Sequence, residues 1–200
     1  MNTKFFDMNK SKQDRIINGS LKIFCRYGYR HASTDEIVAE AGISKGLLFH
    51  YFMSKKGLYR FLYDYCAHYM ADELRRASVE PGEDFFEVEK KLTRVAAGIV
   101  RIYPCLPLFL VSADLESDPE AVEALSGLPL LGTVRQRAEE MTAQSSGRLP
   151  AEDLQQLAAL LTNYRIGRMR DMLRRDISDP DALLTDCMAQ ISLLERLALS

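Results

Sequence analysis

The residues whose types and spacing suggest chemistry lie between Ser33 and Lys55, in the stretch STDEIVAEAGISKGLLFHYFMSK. The chemistry is recognition and not bond-making. Ser44 to Phe52 reads as one short helix, and a helical advance of about 100° per residue puts Leu48 and Phe52 on one face and Gly46, His50 and Met53 on the other. Lys45, Leu47 and Phe49 flank the outer side. Large apolar groups turned outward on so small a helix do nothing for stability. They do suit a groove, where thymine methyls accept apolar contact and an imidazole hydrogen-bonds base edges. The first amides of this helix, and of the one that opens at Thr34, favour phosphate oxygens.

The elements that must position this face are legible around it. Ser33-Thr34-Asp35-Glu36 has the form of a capping box, with Ser33 accepting from an amide three residues on and Glu36 reaching back. The helix it opens carries Ile37 and Ala41 and halts at Gly42, which takes the φ > 0 conformation of a sharp turn while Ile43 buries beneath it. Upstream, Ile16, Ile17, Ser20, Leu21 and Phe24 form an apolar stripe that ends at Gly28. Downstream, Ser54 caps a long helix through Leu58, Phe61, Leu62, Tyr65 and Tyr69 toward about Ser78, where Pro81-Gly82 breaks it. Two short helices joined by a tight turn, the second facing outward, make a helix-turn-helix that lays its second helix in a major groove.

The rest of the chain is also helical by pattern. Helices are predicted from about Glu83 to Tyr103, from about Pro119 to Gln144 with a kink near Gly127, Pro129 and Gly132, from about Ala151 to Arg175, and from about Pro180 to Leu199; Pro104 and Pro107 interrupt the chain between the first two. That is an all-α chain of about nine helices. Its 200 residues are 47% hydrophobic and 27% charged, enough to build a core. The net charge of −2 hides an asymmetry, because residues 1–60 carry 11 Lys/Arg against 5 Asp/Glu while the remainder is acidic. A basic segment on an acidic body faces a polyanion. The longest apolar run, Cys105 to Val111 with Pro counted, falls well short of the ~20 residues of a spanning helix, and the N-terminus lacks the apolar stretch of a signal peptide. Cys25, Cys66, Cys105 and Cys187 include no C-x-x-C pair and, with His31, His50 and His68 scattered, fit neither a zinc site nor a disulfide framework. A cytoplasmic protein with reduced thiols, no metal, no cofactor and no membrane partner is expected, with Cys25 in the core beside Phe24 and Leu21.

Residues Gln13 to Tyr63 resemble the N-terminal DNA-binding domain of the TetR family of bacterial transcriptional regulators. The resemblance is carried by Phe24, Gly28-Tyr29, Ser33-Thr34, Ile37, Ala41-Gly42-Ile43-Ser44-Lys45-Gly46, Leu48, His50-Tyr51-Phe52 and Ser54-Lys55 before Leu58, at fixed offsets over a quarter of the chain. It implies a three-helix DNA-binding domain over residues 1–56 and a larger helical domain for ligand binding and dimerisation over 57–200. By analogy Lys45, Gly46, Leu47, His50 and Tyr51 face bases or nearby backbone, Thr34 and Lys55 grip phosphates, and Ser33, Ser44 and Phe49 complete the contact surface. Three departures stand out. Phe49 replaces a frequent Tyr and Leu47 a frequent Thr, which removes polar contacts. Lys56-Gly57 replaces a frequent acidic residue, adding positive charge but weakening the start of the long helix.

The implied function is a ligand-responsive regulator, a repressor that a small molecule releases from a palindromic operator by shifting the long fourth helix. Tyr65, His68, Tyr69, Tyr103, Phe109, Tyr164 and Arg168 are the candidate pocket residues. The cluster Arg165, Arg168, Arg170, Arg174 and Arg175 reads either as a solvated face or as the anchor of an anionic ligand. Leu157, Leu161, Leu184, Cys187, Met188, Ile191 and Leu194 form apolar stripes on the last two helices that fit a four-helix homodimer interface, with Gly167 allowing close approach. Two rivals remain at this stage. One is a helical module whose helix-turn-helix meets a protein partner. The other is an all-α enzyme, for which no nucleophile–base, paired-carboxylate or phosphate-loop spacing stands out.

Overall fold

The computed structural model describes residues 3–128 and 138–199. Among the described residues the backbone is helical apart from turns and one isolated bridge between Asp84 and Ser146. The helices are α1 (Thr3–Phe6), α2 (Lys10–His31), α3 (Thr34–Ala41), α4 (Lys45–Phe52), α5 (Lys55–Arg76), α6 (Phe85–Ile102), α7 (Leu106–Asp114), α8 (Pro119–Leu125), α9 (Ala151–Arg175) and α10 (Pro180–Leu199), with a further helical stretch at 138–143. The count exceeds the expected nine because of two short elements. One is α1, whose Phe5 is wholly buried against Phe52 and Phe61. The other is α7, which forms across Pro107 because a proline in the first helical turn sacrifices no intrahelical hydrogen bond. The kink expected after Pro119 appears as the end of α8 at Ser126 and a positive φ of 73° at Gly127, while Pro129 and Gly132 lie outside the described residues.

The chain forms two compact units, Met1–His68 with Tyr103–Leu131, and Tyr69–Ile102 with Gly132–Ser200. The division expected at residue 56 therefore differs from the packing. The first unit takes in the start of α5 as well as α7 and α8, for specific reasons. Phe109 of α7 meets the rings of Phe24 and Tyr59 at 6.1 and 5.2 Å, Arg60 donates to the carbonyls of Ala124 and Ser126 at 2.6 and 3.2 Å, and Lys56 pairs with Glu123 at 2.8 Å. Around them Ile16, Ile17, Leu21, Ile37, Leu48, Leu58 and Leu62 complete a core in which each is at most 1% exposed. Where α2 crosses α3, a side chain at Gly19 would meet the backbone nitrogen of Ala41 at 2.9 Å, so the approach depends on that glycine.

In the second unit Phe85 and Phe86 of α6 pack with Leu154, Leu161 and Ile191 of α9 and α10, with Leu157, Met188 and Leu194 partly buried against them. Part of the expected dimer stripe lies in this cluster. Leu161, Cys187 and Ile191 are buried within the single chain, so the face they mark closes the subunit's own core. The apolar residues that α9 and α10 leave outward are Leu160, Leu193 and Leu197, 54, 42 and 64% exposed.

The arginine cluster also divides. Arg165 is buried and donates to Glu89 at 2.8 Å, Thr93 at 3.2 Å and Thr162 at 3.0 Å. Arg168 pairs with Asp186, and Arg174 stays exposed near Asp171. Glu89 is only 1% exposed, so removing its carboxylate leaves a buried guanidinium without its counter-charge. Glu89→Ala is expected to cost about 3–5 kcal/mol in denaturant unfolding, and the paired change Glu89→Leu with Arg165→Met to recover most of it.

Candidate nucleic-acid interface

The local chemistry of α3 and α4 follows the sequence closely. Ser33 accepts from the Asp35 amide at 3.1 Å, and Glu36 accepts from the Ser33 amide at 3.4 Å, closing the capping box. Gly42 adopts φ 62°, ψ 45°, and the amides of Gly42 and Ile43 donate back to the carbonyls of Ala39 and Val38 at 3.2 and 3.0 Å. Ile43 is half-buried and not fully covered. Ser44 then caps α4 by accepting from Leu47 at 3.2 Å. The two serines thus occupy part of the amide set offered to phosphates. The two helix starts also differ in sign, because α3 carries Asp35 and Glu36 in its first turn whereas α4 carries no acidic residue there. Only the start of α4 keeps a field favourable to an anion.

The outer face of α4 is as expected from its period. Leu48 and Phe52 are buried, Lys45, Gly46 and His50 are exposed, and Leu47, Phe49 and Tyr51 are half-buried at its flanks. Nothing lies within 4 Å of where a side chain at Gly46 would point, so the backbone there is open to close approach. Lys45 Nζ holds both oxygens of Asp35, at 2.9 and 3.0 Å, and both side chains are exposed. Tyr51 lies edge-on to the rings of His50 and Phe5, at 4.9 and 5.9 Å between centroids, which ties the outer face to α1. Thr34 is half-buried at the start of α3. Met53 projects from the end of α4 at 81% exposure, in a left-handed conformation with φ 65° that a non-glycine residue adopts at a cost.

Lys55 is where expectation and structure part. Its ammonium turns inward and donates to the carbonyls of Tyr29, Ala32 and Arg30 at 2.9, 3.3 and 3.4 Å, with Nζ 4.5 Å from the centre of the Tyr29 ring. It neutralises the carbonyl end of α2. The reason is the bend at Gly28, whose φ of 70° and ψ of 173° interrupt α2 and leave the following peptides without regular helical partners. On the other side of the bend Glu116 accepts from the Tyr29 amide at 3.2 Å, and its second oxygen accepts from Ser117 and Asp118. Burial pushes the Glu116 carboxyl up, but these amides outweigh it and hold it below the usual carboxylate range. Lys56 is likewise engaged with Glu123 and does not stand as a spare cation. Gly57, a departure that weakens helix propensity, proves obligatory: a side chain there would lie 2.1 Å from the Phe52 carbonyl oxygen.

The expected pocket residues divide between the two units. In the first, Tyr65 and Tyr103 join hydroxyls at 2.6 Å, and Tyr103 donates to Asp14 at 2.8 Å while accepting from Lys10 at 2.8 Å. Phe109 is buried among rings, and His68 is exposed with its ring against the Asp64 carbonyl at 2.8 Å. Tyr69 and Tyr164, both half-buried, and Arg168 belong to the second unit. A cleft of about 230 Å3 in the first unit is lined by Arg15, Asn18, Gly19, Lys22, Glu40, Pro104 and Cys105, none of them an expected pocket residue.

A tight-turned pair of short helices with the second facing outward is a helix-turn-helix unit. Residues 16–61 match the model of the bacterial regulatory proteins of the tetR family. Over 65 residues the chain is 34% identical to YerO, an uncharacterized HTH-type transcriptional regulator of Bacillus subtilis (strain 168), and over 49 residues 45% identical to YuxN of the same strain, described in the same words. These alignments take in 32 and 24% of this chain but only 22 and 17% of the length of those relatives. In fold the whole chain is similar to a TetR family transcriptional regulator from Chloroflexus aurantiacus J-10-FL, with a TM-score of 0.59, 23% identity and coverage of 97 and 96% of the two chains. The likeness to the tetR family thus rests on residues 16–61, and the rest of the chain shares the fold alone.

The internal role of Lys55 has a measurable consequence. Lys55→Met is expected to lower unfolding stability by about 1–2 kcal/mol, and Lys55→Arg to restore part of it, in chemical denaturation at neutral pH.

Proposed function

We propose that the chain is a ligand-responsive, sequence-specific DNA-binding transcriptional regulator, most simply a repressor that a small molecule releases from a palindromic operator. The observation that carries this reading is the outer face of α4. Lys45, Gly46 and His50 stand exposed over buried Leu48 and Phe52, behind a helix start with no acidic residue. In a major groove Lys45 exchanges Asp35 for a phosphate, Gly46 lets the backbone come close, and His50 reads a base edge between the apolar flanks of Leu47 and Phe49. Thr34, Ser33, Ser44 and Tyr51 lie at the rim of the same surface. The chemistry is binding and not catalysis, and its place is the bacterial cytoplasm.

A second copy completes the reading, because two heads are needed for a palindrome. The outward residues Leu160, Leu193 and Leu197 supply an apolar surface for it, and nothing lies within 4 Å of where a side chain at Gly167 would project. The signal from a bound effector travels along α5, whose first part belongs to the DNA-binding unit and whose last part, from Tyr69, belongs to the other. A differential affinity of about 1–3 kcal/mol between the two states suffices for a 5- to 150-fold change in operator binding.

Salt titration of binding to a duplex selected from a randomised library separates the roles. Lys45→Ala is expected to lower the slope of log affinity against log salt by roughly one, and Lys55→Met to leave the slope unchanged. His50→Ala is expected to relax choice at one or two positions, at about 1–3 kcal/mol, without changing binding to random duplex. If Lys45→Ala and His50→Ala both bind as the wild type does, the assignment of α4 fails. For the assembly, Leu193→Glu with Leu197→Glu is expected to convert a dimer to a monomer in analytical ultracentrifugation, whereas an unchanged dimer rejects this face.

A further inference from the structure

Three of the four cysteines lie in the first unit, and two of them meet. Cys25 of α2 donates its thiol to the Cys105 carbonyl at 3.5 Å. The chain brings them together across a separation of 80 residues by packing α2 against the start of α7. Their surroundings are unequal. Cys105 is the N-cap residue of α7, and it lines the cleft together with Arg15 and Lys22. The third ionisable group there, Glu40, is tied to Lys22 at 2.7 Å. Cys105 is itself buried at 7% exposure, Cys25 is half-buried and Cys66 wholly buried. A helix N-terminus and nearby cations stabilise a thiolate, whereas burial opposes one. The neighbouring Cys105 first, and burial second, push the Cys25 thiol well above the usual thiol range.

We infer that Cys105 and Cys25 form a redox-sensitive pair that a hydroperoxide entering the cleft converts to an intramolecular disulfide. The steps balance. The Cys105 thiolate attacks the distal peroxide oxygen, the O–O bond breaks, and with one proton the leaving group departs as an alcohol or water, leaving a sulfenic acid on Cys105. The Cys25 sulfur then attacks that sulfur, the S–O bond breaks, and the Cys25 proton leaves with the hydroxyl as water. Two electrons pass from the two sulfurs to the peroxide, and a dithiol reductant reverses the change. A bonded sulfur pair stands about 2.05 Å apart, closer than any non-bonded contact, so the bond draws α2 toward α7. Because α2 backs α3, this displaces the α4 face and weakens operator binding. That last effect rests on the function proposed above, whereas the thiol chemistry does not.

The test treats the intact protein with tert-butyl hydroperoxide and maps its peptides by mass spectrometry. A linked pair of peptides containing Cys25 and Cys105, two hydrogens lighter than the free thiols and restored by dithiothreitol, is expected in the wild type. Cys25→Ala is expected to stall with one added oxygen on Cys105, trapped by dimedone, and Cys105→Ala to give neither product. Full alkylation of Cys25 and Cys105 after treatment, a sulfenic acid on Cys25 instead, or linkage through Cys66 or Cys187 would overturn the pair. Mapping the wild type keeps the chemistry testable even if a variant folds poorly. On the selected duplex, oxidised wild type is expected to bind roughly tenfold more weakly and Cys25→Ala to show no such change. A disulfide with unchanged affinity overturns the regulatory half. Failure of the reduced protein to bind any duplex is a failure of the proposed function, which leaves the peptide map to decide the chemistry.

Discussion

The structure turns on how the chain leaves α2. At Gly28 the helix breaks, and within five residues the backbone must enter the capping box at Ser33. Peptide groups at such a break cannot be left without partners beside a core, since an unsatisfied group costs about 1–3 kcal/mol. Two side chains from distant elements meet that need with opposite charge. The Lys55 ammonium collects the carbonyls of Tyr29, Arg30 and Ala32, and the Glu116 carboxylate takes the Tyr29 amide. Each helix that follows inherits its direction from this clamp: α3 through its cap, α4 through the Gly42 turn, and α5 because Lys55 is its first residue. Glu116 belongs to the segment between α7 and α8, so that segment is built into the first unit.

The charge asymmetry of the chain takes on a different meaning in this light. A surplus of Lys and Arg over residues 1–60 suggests a cationic face. Much of it is engaged within the unit: Lys10 with Asp14, Lys22 with Glu40, Lys45 with Asp35, Lys56 with Glu123, and Lys55 with carbonyls. Exposed pairs of this kind are worth little in stability and exchange partners readily, so Asp35 holds Lys45 only loosely. Lys55 is different, because three carbonyls and an aromatic face hold it. The same residue type in one segment thus serves two purposes that composition does not distinguish.

Local features were readable where neighbours in sequence decide them. The capping box, the left-handed Gly42, the Ser44 cap and the inward Leu48 and Phe52 all depend on contacts within a few residues. The outer face of α4 follows from helical period alone. Features that depend on distant partners were misread or missed. The α1 helix is held by Phe5 packing with Phe52 and Phe61, and nothing in residues 3–6 announces those partners. Among the aromatic candidates Phe109 is a core ring, and Tyr65 and Tyr103 belong to a hydrogen-bonded chain with Asp14, because an apolar or amphipathic side chain carries no mark that distinguishes a packed site from an open one.

Residue order along the chain settled the helical class, the positions of the short helices and the face that meets solvent on α4, because period, caps and glycine turns act over distances of one or two helical turns. Three-dimensional packing decided which apolar stripe closes the subunit, that Gly57 must lack a side chain, and that Lys55 serves the fold. It also set Cys25 beside Cys105. Those outcomes depend on elements tens of residues apart arriving at the same place, and one-dimensional spacing carries no information about which distant surface a side chain will meet.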